Sequence, residues 1–388
     1  MRVEEIQEAL WEQGLDGWLF ADHHGRDPLA YRVLGLPRQA VTRRWYYLIP
    51  AEGEPWGLVH RVEAGVLERL PGRRELYASW RELEASLGLM LRGKKRVAMQ
   101  YSPGCRLPGV SLVDAGTVEF VRSLGVEVVS SADLIQRFEA RWTQEHLARH
   151  TEAGRRVDRI RREAFERVRS ALESGQGIRE AAIKQFILDR FASSGLLTDH
   201  GPIVASGPNS SDPHYEPQVG ADREIGPGDV LVLDLWAKLQ DPAAVYYDVT
   251  WVGYCGGQPP ERVERVFRIV VEARDCAIEL VRQRIRSRAP VRGFEVDDAA
   301  RGYIERQGYG RYFPHRTGHS IGAEVHGAGA NADNLETHDE RHLIPWTCIS
   351  VEPGIYLGDF GVRSEVNLFI GEEDAWVTGE IQRELILL

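Results

Sequence analysis

Residues 229–254 read DVLVLDLWAKLQDPAAVYYDVTWVGY, and the fold turns on the two aspartates inside this stretch. Asp234 interrupts the nearly all-apolar VLVLDLW, and Asp248 interrupts VYYDVTW. Both runs read as buried strands, with QDPAA as the turn between them. The midpoint between the aspartates is Asp241, inside that turn. A hairpin closing there sets the two carboxylates opposite each other, where cross-strand Cβ atoms stand about 4.5–5.5 Å apart.

A second hairpin repeats the arrangement. Glu352 lies in SVEPGIYL and Glu365 in GVRSEVN, with their midpoint between Gly358 and Asp359. A buried ionised carboxylate is costly unless compensated. Of two that face each other, one must take up a proton or a cation. For a single aspartate, a capped turn or buried ion pair is the plainer explanation. Two hairpins built alike weaken that explanation. The obvious ion-pair partner is Arg363, and one guanidinium cannot neutralise four acids. Two divalent cations can.

An imidazole is available in HRTGHSIGAEVHGAGAN, residues 315–331. Gly318 and Gly322 argue against a helix, so His315 and His319 are not an i, i+4 zinc pair. Glycine lets backbone come close without a Cβ clash. His319 is therefore the ligand candidate, His326 a neighbouring acid or hydrogen-bond donor, and His315 structural. For any one of these histidines alone, packing is the plainer role. A mostly oxygen donor set with one imidazole suits Mn2+, Co2+, Zn2+ or Fe2+.

The chain of 388 residues is too long for one compact core and implies two domains. Residues 1–138 alternate strand and helix patterns, an α/β layer domain with no nucleotide-binding glycine loop. Residues 139–388 carry long amphipathic helices and strand pairs, an α+β domain with an antiparallel sheet under helices. No apolar run approaches the roughly 20 residues of a membrane helix, and the N-terminus has no signal-peptide core. The four cysteines are widely spaced, as expected of a cytoplasmic protein. A formal charge of −10 argues against nucleic-acid binding. The arginine-rich 155–169 reads as a solvated helix face.

With these residues in hand, the chain resembles the pita-bread metallopeptidases: methionine aminopeptidase, aminopeptidase P and prolidase. Their ordered ligands Asp, Asp, His, Glu, Glu correspond to Asp234, Asp248, His319, Glu352 and Glu365. HRTGHSIG resembles the family's HxxGHxxG, SVEPGIY its EPG segment and GVRSE its GVRxE. The likeness covers about 140–388, and residues 1–138 are similar to the creatinase-type N-terminal domain. It implies two divalent ions, Mn2+ foremost, with Asp248 and Glu365 bridging, Asp234 on one ion, and His319 with Glu352 on the other. It also implies substrate contacts from His214 and His326, a proton shuttle at Glu352, orientation by Arg363, and a homodimer. The implied reaction is hydrolysis of an Xaa-Pro bond, in dipeptides or at a peptide N-terminus. Three departures bear on the substrate pocket: a longer Asp234–Asp248 hairpin, Trp251 where many members have Arg, and Gly327 where an acid is common. Two other readings use the same scaffold: a metal-dependent C–N hydrolase or lyase of a small metabolite, and a binding module without catalysis. The intact ligand set disfavours the second.

Overall fold

The computed structural model describes residues 2–37 and 40–388. The chain forms two compact units that divide between Ala140 and Arg141, two residues beyond the boundary expected from the sequence.

The first unit is built on a six-stranded mixed sheet. The strand Gly17–Asp22 pairs antiparallel with Trp45–Pro50 and parallel with Arg96–Met99. The sheet continues outward through Trp56–His60 and Arg73–Tyr77 on one side and Glu127–Ser130 on the other. Leu19, Leu48, Leu58, Leu87, Val97 and Val121 fill its core. The helices Pro28–Leu34 and Trp80–Met90 were not apparent in the sequence pattern; each is capped by a side chain, Asp27 and Ser79 respectively.

In the second unit, Thr143 caps a helix, Gln144–Glu173, whose apolar stripe includes Val157, Ile160, Ala164 and Val168. That stripe packs on one face of the hairpin Val230–Leu239/Tyr247–Tyr254. On the helix's outer face, Glu152 pairs with Arg155 and Arg156, and Glu163 with Arg159, the interleaving expected of a solvated surface. The helices Glu261–Arg286 and Gly293–Arg306 pack with the hairpin's other face and with a second antiparallel sheet. That sheet runs Ser320–Ile321, Thr347–Val351, Val366–Ile370, Ala375–Val377. Among the described residues no helix is long and apolar enough to cross a membrane.

Candidate metal centre

Strand parity places the aspartates. Leu231, Leu233, Leu235 and Val249 belong to the apolar cluster under Gln144–Glu173. Val230, Val232, Val252 and Tyr254 belong to the opposite cluster, with Val351 and Val366 of the glutamate strands. Side chains alternate along a strand, so Asp234, Asp248 and Thr250 take even positions on the second face. Both faces are buried, which is why the hairpin reads as nearly continuous apolar sequence.

The register corrects one expectation. Asp234 pairs with Thr250, and Asp248 with Trp236, so the aspartates are diagonal neighbours rather than direct partners. The pairing is centred one residue later, on Pro242, because the turn folds on itself. Asp241 N–H donates to Leu239 O, and Ala244 N–H to Asp241 O. A diagonal offset, about 7–8 Å in an antiparallel pair, leaves room between the carboxylates.

The glutamate hairpin keeps its expected register: Val351 pairs with Val366 and Gly354 with Arg363. The ladder breaks between these pairs, at Pro353. There Glu352 N–H donates to Thr317 O (2.7 Å) and Glu365 N–H to Thr250 O (3.1 Å). The two glutamates are thus held by the histidine segment and the aspartate hairpin. Asn367 completes the junction: its Oδ1 accepts from Asp248 N–H (3.1 Å) and its Nδ2 donates to Asp248 O (2.8 Å).

The histidine segment answers to the same packing. A Cβ on Gly318 would lie 2.0 Å from Ser350 O, so only glycine passes there. Ser350 then clamps the next residue: its Oγ accepts from His319 N–H (2.9 Å), and its N–H donates to His319 O (2.8 Å). His319 Nδ1 lies 3.1 Å from Ser320 O, which can only accept. The proton therefore sits on Nδ1, and the Nε2 lone pair points at Asp248 Oδ2 (3.6 Å) and Glu352 Oε1 (3.5 Å). Ligand atoms of Asp248, His319 and Glu365 all lie within 4.8 Å of one another.

Arg363 is buried beside them. It donates to Asp234, to Thr250 Oγ1 (3.1 Å), to Pro213 O (3.1 Å) and to Tyr356 OH (3.0 Å). Thr250 Oγ1 donates onward to Glu365 Oε2 (2.8 Å). His315 Nδ1–H donates to Arg316 O, so its Nε2 accepts from Tyr356 OH (2.8 Å). His315 is thereby a brace for Tyr356 and Arg363, the structural part expected of it.

Electrostatically, the metal-free cluster holds more negative charge than it can neutralise. Burial, then the charges of Asp234 and Glu352, push Asp248 well above the usual carboxylate range. Burial, then Asp248 and Glu352, do the same to Glu365. Burial lifts Glu352 to about 7 against the pull of Arg363. Burial and the neighbouring His326 and Arg316 hold His319 well below its ordinary value, hence neutral. Asp234 Oδ1 and Asp248 Oδ1 are buried without any hydrogen-bond partner. Orphaned carboxylate oxygens beside an unprotonated imidazole nitrogen are a donor set that fits divalent cations.

One cavity of about 470 Å3 takes in the cluster. The eight candidate ligands and substrate-contact or orienting residues named from the sequence all line it: Asp234, Asp248, His319, Glu352, Glu365, His214, His326 and Arg363. The His326 ring meets that of His319 edge-on, centroids 4.3 Å apart, and burial with the charge of Arg316 lowers it to about 4.

The sequence model of metallopeptidase family M24 matches residues 148–372, more than half of the chain. The chain belongs to metallopeptidase family M24. It is 26% identical over 362 residues to the probable dipeptidase PepE of Mycobacterium tuberculosis, covering 92% of this chain and 88% of that protein. It is 35% identical over 185 residues to the Xaa-Pro dipeptidase of Pyrococcus horikoshii, covering 47% and 48%. The crystal structure of dipeptidase PepE from Mycobacterium ulcerans superposes with a TM-score of 0.76 at 24% identity, covering 100% and 96%. The fold is accordingly the pita-bread fold preceded by a creatinase-type α/β domain.

The three positions at which the resemblance implies a departure, Trp251, Gly327 and the hairpin tip, are not themselves part of the cavity lining. Trp251 sits at an odd position, on the hairpin face opposite Asp234 and Asp248. There it stacks on the buried Arg161, with the guanidinium carbon 3.3 Å from the ring centroid. Gly327 packs on Ser320, where a Cβ would meet Oγ at 3.0 Å. The longer hairpin tip turns to the helix Gln144–Glu173, Asp241 pairing with Arg149 at 2.9 Å. None of these residues lines the cavity, though Gly327 directly follows His326, which does. Sequence reasoning missed Thr250, Trp236, Tyr356 and Arg316. Parity could have found the first two, since both stand two residues from a candidate ligand on one face.

Proposed function

We propose that the chain is a dinuclear metal-dependent exopeptidase that hydrolyses the Xaa-Pro bond, with dipeptides as its preferred substrates. The observation that carries this reading is the convergence, in one cavity, of five ligand-type side chains with orphaned acceptor atoms. Asp234, Asp248, His319, Glu352 and Glu365 would hold two divalent cations, Mn2+ foremost, with Asp248 and Glu365 shared. Such ions, when bound, supply Lewis acidity and an activated water.

The chain's own residues do the rest. Glu352, on the cavity wall, carries a proton to the leaving nitrogen. In an Xaa-Pro bond that nitrogen is tertiary and must gain a proton to leave as an amine. His326 and His214, at the cavity wall, hydrogen-bond the carbonyl region and the substrate backbone. Arg363 orients Asp234 and, through Thr250, Glu365. Arg316 also lines the cavity, and among the described residues its guanidinium has no acidic partner. A dipeptide's terminal carboxylate falls within the same small cavity as the scissile bond, and this cation suits it. The relatives named dipeptidase and Xaa-Pro dipeptidase support the same length and bond. The family likeness also favours a cytoplasmic homodimer.

The test is hydrolysis of an Xaa-Pro dipeptide and an Xaa-Pro tripeptide by chelated protein, with and without added Mn2+. Metal-restored cleavage that favours the dipeptide is expected. Cleavage of neither, by protein carrying two metal equivalents, would replace this reading with a C–N hydrolase or lyase of a small metabolite.

A further inference from the structure

Glu180 opens the helix Glu180–Ser193, is wholly buried, and does not line the cavity. Both of its oxygens accept hydrogen bonds. Oε1 takes Ser206 N–H (2.6 Å), Ser206 Oγ (2.8 Å) and Asn209 Nδ2 (3.2 Å). Oε2 takes Asn209 Nδ2 (2.9 Å), Tyr215 OH (2.7 Å) and Arg223 N–H (3.1 Å). No basic side chain shares them among the described residues; the Arg223 guanidinium turns to Asp229 (2.9 Å). A buried carboxylate is costly, and a helix that only needed filling would use an apolar side chain.

Three of the donor residues, Ser206, Asn209 and Tyr215, lie on one segment. The glutamate hairpin grips the same segment from its other side. Ser210 Oγ accepts from Gly361 N–H (2.8 Å), Ser211 donates to Leu357 O, and Pro213 O accepts from Arg363. His214 stands between the anchored Pro213 and Tyr215, and Pro213 and His214 line the cavity. The segment is stretched between a buried acid and the metal-site hairpin.

We propose that Glu180 is a positioning residue: it fixes residues 206–215 and so sets where His214 stands for substrate. This rests on the peptidase reading for the role of His214, though not for the rigidity of the segment. Glu180→Gln is a sharp probe. Ser206 N–H and Arg223 N–H face different oxygens, so an amide NH2 must oppose one of them in either flip.

Two readouts decide it. Amide exchange on metal-free Glu180→Gln, independent of any reaction, should speed by about tenfold at 206–215 and stay unchanged at 231–235. Uniform acceleration, or none, overturns the proposal. In metal-loaded protein with wild-type Xaa-Pro cleavage established, Glu180→Gln should raise KM about tenfold, with kcat within about twofold and metal content unchanged. In a His214→Ala background the same change should raise KM by less than about twofold. An unchanged KM with a lowered Tm marks a merely structural acid, and fully multiplying effects show that it does not act through His214; either overturns the proposal. Should Glu180→Gln fail to fold, Tyr215→Phe removes one donor and should raise KM about threefold; an unchanged KM then counts against the proposal. Absence of wild-type cleavage sinks the peptidase reading alone and leaves the exchange result standing.

Discussion

At the scale of the residue, the centre is a set of carboxyl groups whose burial disfavours their ionised form. Asp248 Oδ1 is buried without a donor, and its Oδ2 faces the lone pair of His319 Nε2 at 3.6 Å. Asp248→Asn removes the charge and lets the amide donate to that nitrogen. The metal-free variant at pH 8 should therefore be more stable than wild type by about 1 kcal/mol, or about 2–4 °C in Tm. It should also lose the metal-induced rise in Tm. Thermal melts with and without Mn2+ check both, and a less stable metal-free variant would mean that the carboxylate is not under strain. The pH dependence follows from Glu352, lifted to about 7 chiefly by burial. A raised carboxyl pKa stabilises the metal-free fold below the ordinary value near 4.5, and this contribution is lost as pH rises through about 7. A cation must displace that proton, so metal affinity should climb between pH 6 and 8 with protons released on binding. Calorimetry in two buffers of different ionisation enthalpy counts them; a count of zero at pH 6 would remove Glu352 from the ligand set.

At the scale of the element, two hairpins and a glycine-rich segment make the site by joining edges, and the join is Asn367. Its amide gives Asp248 both an acceptor and a donor, as a neighbouring strand would. Asn367→Leu keeps the volume and orphans two buried backbone groups. At about 1–3 kcal/mol each, unfolding in urea should shift by about 2–4 kcal/mol, and metal affinity should fall with it. A change below about 0.5 kcal/mol would mean that the hairpins hold their register without the clamp. This scale also shows what the sequence could and could not carry. The face shared by the candidate side chains was legible because parity along a strand is fixed by the backbone. The glutamate register was legible because an uninterrupted turn centres the pairing. The aspartate register was not, because the hydrogen bonds within the tip from Leu239 to Ala244 move the centre by one residue. The packing of Trp251 on Arg161 was not legible for a related reason. A likeness between families supplies positions in order, and the face each position takes must still be read from parity. Asn367 and Glu180 left no signal at all, since their partners lie 119 and 26 to 43 residues away in the chain.

At the scale of the whole molecule, the candidate centre lies within one of two units. Every residue lining the cavity lies between Asp199 and Glu365, inside the unit Arg141–Leu388. That unit has apolar cores of its own, one under Gln144–Glu173 and one beneath Glu261–Arg286 and Gly293–Arg306. The first unit likewise closes its core around its own sheet. Units with separate cores can fold separately. A fragment beginning at Arg141 should therefore bind divalent cations with a Kd within about threefold of the full chain. Its melting transition should still rise when Mn2+ is added, because ligand binding stabilises only the folded form. Titration calorimetry on the two proteins, each first shown to be folded by circular dichroism, makes the comparison. A folded fragment that binds metal as the full chain does, yet cleaves Xaa-Pro dipeptides with a raised KM, would assign the first unit to substrate binding and leave the metal centre where the residues place it. A folded fragment that loses its metal would mean that the five side chains are not sufficient, and that the centre draws on residues before Ala140.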